Sequence, residues 1–217
     1  MAYMMHGFPA CVILPPHREQ GDSTITGGGR MKSELIKQHF AQVLMDMCET
    51  HRLGDITVVD LVTEAGMARQ TFYNHFADIN DLICYTASRP ILSNPRAVYT
   101  SLDNLARMFD TARQHRGFFS QLPQQTGQNT FKAAYNDWIK RRRGAMCITD
   151  DLSEEEKAYR RARIAVYAEG TTAMLMDFFA SDMTTPNEVF MKAIMQSRPA
   201  FMRDIEVPPG LPEDYPR

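Results

Sequence analysis

The chain has 217 residues, 44% of them hydrophobic and 23% charged, a balance that suits a globular protein large enough to bury a sizeable core. Its formal net charge of −2 excludes recognition of nucleic acid by bulk charge, so any such role must reside in a local motif. The 4 cysteines show no short CxxC spacing, and no apolar run reaches the ~18 residues of a membrane helix, which argues against a zinc site and a membrane partner.

Residues 1–30 are punctuated by Pro15-Pro16 and Gly27-Gly28-Gly29 and show no period, so they read as a disordered N-terminal extension. The apolar stretch Phe8 to Leu14 is short and lacks a basic segment before it, so it reads as neither signal peptide nor anchor. Met31 opens the first patterned segment and is a candidate translation start. A first helix is expected from Lys32 to Thr50, with Ser33 as N-cap. Ile36, Phe40, Val43, Leu44 and Met47 recur on one face. A second helix is expected from Val58 to Ala65, capped by Thr57 with Asp60 completing a capping box, and with Val59 and Val62 inward. Gly66 breaks it, and a third short helix follows from Arg69 to Asn74. Asp78 caps a fourth, carrying Leu82, Ile83 and Tyr85, which Pro90 should stop. Cys48 and Cys84 fall among apolar residues and read as buried reduced thiols, consistent with a cytoplasmic protein.

Pro90 and Pro95 mark a join, after which the pattern is again helical. Leu102, Leu105, Phe109 and Ala112 mark one helix. A polar loop spans Gln124 to Asn129, and Phe131, Ala134, Tyr135 and Trp138 mark the next helix. Ser153 with Glu156 opens a long helix running to about Ala180, and Thr185-Pro186-Asn187-Glu188 opens a last one. No strand alternation is visible, so the fold class is all-α: a helix-turn-helix domain over 31–88 and a helical bundle over 98–204, with a disordered tail at 205–217.

The informative stretch runs from Ile56 to Phe76. Two short helices flank a tight turn at Ala65-Gly66-Met67, the arrangement of a helix-turn-helix. Arg69 and Gln70 open the second of them, the end that meets base edges in a major groove, where Arg pairs with guanine and Gln with adenine. Phe72 and Phe76 share the inward face, while Tyr73 and Asn74 lie on others. The start of the first helix, at Thr57, offers backbone N–H groups to a phosphate.

Residues 32–86 resemble the DNA-binding domain of the TetR family of bacterial regulators. Phe40, Ile56-Thr57, the Ala65-Gly66 turn and above all Thr71-Phe72-Tyr73-Asn74-His75-Phe76 carry the resemblance. It implies a homodimer on a palindromic double-stranded DNA operator. It also implies phosphate contacts from Thr57, Thr71 and His75, and base or backbone contacts from Arg69, Gln70 and Tyr73, with Asn74 in reach of the duplex. Two positions depart from that pattern: Ala68 replaces the usual capping Ser, and no Lys follows Phe76. Residues 100–204 are more loosely similar to the ligand-binding half of a subgroup that includes regulators of dihydroxyacetone kinase genes, through Phe118-Phe119, Gln128 to Phe131 and Glu169 to Ala173. That likeness implies dimerisation by the last two helices and a small-molecule effector of unknown identity.

Lys140-Arg141-Arg142-Arg143 reads as a solvated helix end, and Arg160, Arg161 and Arg163 as partners of nearby acids. The aromatics from Phe109 to Phe179 are either core or an effector pocket. No Gly-rich phosphate loop, HExxH or GxSxG occurs and no histidines are spaced as a metal pair, so no enzyme, cofactor or metal is expected. Three functions remain: an effector-controlled regulator, a ligand-free regulator or activator working through a protein partner, and a small helical enzyme that uses the 57–76 unit only as structure.

Overall fold

The computed structural model describes residues 27–92, 102–127 and 129–203. Residues 1–26 of the expected extension 1–30, Cys11 among them, residues 93–97 of the join expected at 90–97, Gln128 of the polar loop and the tail 205–217 lie outside the described residues. The fold is all-α. Its helices are α1 (Gly27–Met47), α2 (Val58–Glu64), α3 (Arg69–Tyr73), α4 (Ile79–Leu92), α5 (Leu102–Gln114), α6 (Arg116–Phe119), α7 (Phe131–Cys147), α8 (Glu154–Ala180) and α9 (Asn187–Gln196). The chain divides into two compact units, Met1–Ser88 and Arg89–Arg217.

In the first unit α1, α2, α3 and the start of α4 enclose Phe40, Leu44, Leu61, Phe72, Phe76 and Leu82, all essentially removed from solvent. Helices of five and seven residues are too short to be stable alone, so this apolar cluster is what holds α2 and α3 in place. Phe40 is its centre, meeting the Phe72 ring edge-on at 5.6 Å and the Phe76 ring edge-on at 6.3 Å. Cys48 and Cys84 are buried thiols, and burial, helped by Glu49, pushes Cys48 up to about 12.

Four local expectations are corrected here. The first helix begins at Gly27 rather than Lys32, taking in the glycine run. Ser33 therefore sits inside α1 and not at its cap, and its hydroxyl pairs with His75 instead. Val59 is exposed, and Leu61 beside Val62 supplies the inward face of α2, since the run of apolar residues 58, 59, 61 and 62 spans more of the helix surface than the core covers. Pro90 lies within α4, which ends only at Leu92. A proline there removes one backbone bond close to a helix end, where few further bonds depend on it.

In the second unit α7 and α8 pack side by side, while α5 packs on α6 and α9. The core is aromatic: Phe109, Phe118, Phe119, Phe131, Phe178 and Phe179 are buried. The rings touch one another, as in Phe109–Phe178 at 4.8 Å and Phe119–Phe179 at 5.2 Å. Ser153 caps α8 by accepting from the Glu156 N–H, but the Glu156 carboxylate turns to Arg160 at 2.6 Å instead of back to the cap. The last helix starts one residue later than its sequence suggests, with Pro186 at the cap position. The Thr185 carbonyl and the Asn187 side chain instead accept from Arg113, whose guanidinium also lies over Phe178. The Lys140–Arg143 run is no solvated helix end. α7 continues to Cys147, Lys140 pairs with Glu169 of α8 at 2.9 Å, and within the run Arg141 is exposed while the other three are half-buried.

Candidate nucleic-acid interface

The site is built on α2, the turn and α3. Thr57 caps α2 as its sequence suggests. Its Oγ1 accepts from the Asp60 N–H at 3.2 Å, while its own N–H and hydroxyl both donate to Asp60 Oδ2, at 3.0 and 2.6 Å. The carboxylate is held below its ordinary pKa, first by those Thr57 bonds. Thr57 is exposed, but an anion reaching the start of α2 meets Asp60 there and competes with it for the Thr57 donors.

The turn follows from one glycine. Gly66 has φ +63°, a conformation that costs a side-chain-bearing residue more than it costs glycine. With it, the Met67 N–H reaches the Val62 carbonyl at 3.0 Å and the Gly66 N–H reaches Thr63 at 3.1 Å. This pair of bonds is the Schellman closure that satisfies the last carbonyls of α2. The chain then enters α3 through Ala68, whose extended backbone has cap geometry but whose methyl group accepts nothing. A second clamp was not legible in advance: His39 of α1 pairs through Nε2 with the Ala65 carbonyl at 3.0 Å, tying the turn to α1. Nothing in the sequence distinguishes His39 from any polar residue on a helix surface.

α3 separates an inner from an outer face. Phe72 is fully buried, whereas Arg69, Gln70, Tyr73 and Asn74 are exposed and Thr71 is half-buried. The outer side chains are paired at one-turn spacing. The Arg69 guanidinium lies 5.5 Å from the Tyr73 ring centre and donates to its hydroxyl at 3.3 Å, and Gln70 donates to Asn74 at 3.0 Å. These four side chains thus form one polar surface. His75 lies apart from it, half-buried, with Nδ1 3.2 Å from the Ser33 hydroxyl. Burial and, after it, Lys37 hold His75 below its ordinary pKa. Lys37 also lies 5.9 Å from the Tyr85 ring centre, so α1 and α4 bring a cation towards His75 that the local motif did not show.

Among the described residues no group of metal-ligating side chains is assembled, and no helix is long and apolar enough to cross a membrane.

The fold has a known counterpart. No family description matches the sequence, and no curated protein matches it. Among solved structures the chain is similar to a dihydroxyacetone kinase operon activator, DhaS. The TM-score is 0.53 at 16% identity, over 79% of this chain and 97% of that one. At that identity the likeness is one of fold: this chain has the helical architecture of that protein.

Proposed function

We propose that the chain is a sequence-specific DNA-binding transcriptional regulator of the TetR type, cytoplasmic and without catalytic activity. It inserts α3 into the major groove of a palindromic operator as a homodimer. The observation that carries this reading is the division of α3: Phe72 fully buried, with Arg69, Gln70, Tyr73 and Asn74 turned outward together. Arg and Gln at the start of such a helix are the side chains that make two bonds to guanine and to adenine. Thr57, Thr71 and His75 would contact phosphates and position the helix. The fold likeness to an operon activator supports the reading. Selecting bound duplexes from a random pool at stated salt tests it. A two-fold symmetric consensus is expected, and a pool without enrichment refutes it.

Control by an effector in the second unit belongs to the same proposal. One observation favours instead a regulator that works through a protein partner. The aromatic rings that the sequence offers as either core or effector pocket pack on one another. Purified protein whose operator affinity is unmoved by any small molecule, yet shifts on adding a host protein fraction, would decide for the partner.

A further inference from the structure

α3 is held by its neighbours and not by itself. It has five residues, and the Ala68 side chain at its cap position accepts nothing from its backbone. Its inward ring, Phe72, rests edge-on against Phe40 of α1 at 5.6 Å. Burial of that ring keeps α3 on the core. The attraction of apolar surface has no direction, however, so the ring contact leaves the tilt of so short a helix open. Hydrogen bonds do have direction, and they weaken steeply as donor and acceptor leave their line.

Two such bonds run from α1 to the two sides of α3. Before it, the Schellman bonds serve the Val62 and Thr63 carbonyls, and the carbonyl of Ala65 accepts from His39 Nε2 at 3.0 Å. A carbonyl only accepts, so His39 Nε2 carries the hydrogen. After it, His75 Nδ1 lies 3.2 Å from the Ser33 hydroxyl. Both bonds are part-buried, where competition from water is reduced. At ~1.5 Å of rise per residue, ~9 Å of α1 separates Ser33 from His39, so the two bonds hold the segment around α3 at two separate points.

We propose that Ser33 and His39 are positioning residues for DNA recognition: they pin the segment on both sides of α3 and set the angle at which Arg69 and Gln70 meet the bases. The inference rests on the DNA-reading proposal and adds α1 to it as the frame that aims α3. Neither side chain needs to touch the duplex. A recognition site works only while its groups are held within ~0.5 Å and ~10–20° of the productive geometry, so a loosened tilt costs base contacts before it costs the fold. Binding to random sequence draws on phosphate contacts instead of base edges, so it should not change.

The test uses the full chain and two probes: the duplexes that wild type enriches from a random pool, and an unselected duplex of the same length, at one low salt concentration. His39→Leu removes the donor, His39→Gln keeps an N–H, and Ser33→Ala removes the second pin. Losing one hydrogen bond should lower the Tm by no more than ~10 °C, so binding is read well below it, on protein that circular dichroism shows to be folded. His39→Leu and Ser33→Ala should each bind the enriched duplexes roughly tenfold more weakly, within the worth of one base contact, and the unselected duplex as wild type does. His39→Gln should recover most of that loss, which a role in filling space does not predict. Equal losses on both probes, or none on either, overturn the proposal. So does a His39→Gln variant as weak as His39→Leu. A variant that no longer folds overturns it too, since its bond then holds the unit together rather than aiming α3. A wild-type pool without enrichment sinks the DNA-reading proposal and this inference with it, whereas enrichment with variants that bind like wild type sinks this inference alone.

Discussion

Replacing Phe72 by Ala separates the part of α3 that holds the fold from the part proposed to read DNA. The ring is fully buried and meets Phe40, Tyr73 and Phe76 at 5.6, 5.3 and 5.6 Å. Truncating such a side chain costs ~3–5 kcal/mol. α3 has five residues and no side-chain cap, so it cannot absorb the loss locally. The cost falls on the whole first unit, where each kcal/mol corresponds to ~4–8 °C of Tm. The smallest expected drop is therefore roughly 12 °C, from ~3 kcal/mol at ~4 °C each. The upper end approaches the entire ~5–15 kcal/mol that holds a domain together. Tyr73→Ala is the control. Its side chain is 44% exposed, and its edge contact with Phe72 is worth ~0.5–1.5 kcal/mol, so the unit stays folded. Operator affinity should nevertheless fall by ~1–3 kcal/mol, about 5- to 150-fold. Circular dichroism melting beside operator titration reads both. A Phe72→Ala variant that melts with wild type, or a Tyr73→Ala variant that binds operator unchanged, refutes the inside-outside assignment.

Three further outcomes are expected. Ala68→Ser supplies the missing cap of α3, where the backbone is already extended, and should stabilise the first unit by ~1 kcal/mol, read as a rise in Tm. His75 is held below its ordinary pKa, so on acidification the unfolded chain takes up a proton that the folded chain refuses. Stability should fall as pH drops through the ordinary histidine range, and less so in His75→Gln, by denaturant titration at several pH values. Ala77→Lys places a cation on an exposed residue just after Phe76 and should raise affinity for any duplex. A salt titration should show a log–log slope steeper by ~0.9 for each phosphate neutralised.

The helical class and the motif were legible because each element carries its own signal. Thr57 and Asp60 are a capping box in sequence and in space, and Gly66 marks a turn that needs positive φ. The burial of Phe72 and Phe76 against the exposure of Arg69 and Tyr73 follows from helical spacing alone. What remained hidden depends on contacts between elements distant in sequence. His39 reaches Ala65 across 26 positions and Ser33 reaches His75 across 42, and no local pattern encodes either. Arg143 looked solvated because it lies in a basic run. It turns inward because α8 and the turn after α9 cover that side of α7. Pro90 reads as a stop in the sequence, by a rule that weakens in a helix's last turn.

The electrostatics of the head explain why total charge misleads. Residues 31–81 hold four cations, Lys32, Lys37, Arg52 and Arg69, against eight acids, a net charge of −4 from 4 − 8. The acids are not spread evenly. Asp46, Asp55, Asp60 and Glu64 line one groove of about 580 Å³ where the end of α1 meets α2. Asp78 and Asp81 are engaged at the start of α4, accepting from the Asp81 and Ala77 N–H groups. From Ala65 to Ala77 there is no acid at all. A duplex approaching the acidic groove is repelled, and one approaching α3 meets a single guanidinium among neutral donors. Repulsion falls off over ~8 Å in physiological salt, so it acts on orientation at close range without preventing encounter. With few phosphates neutralised by cations, non-specific binding should be weak, and discrimination must come from direct bonds to base edges. On the proposed function, a head of this composition gives up affinity for random DNA in return for specificity. In the proposed homodimer two heads bind together and recover the affinity that one forgoes, so the expected operator is two-fold symmetric.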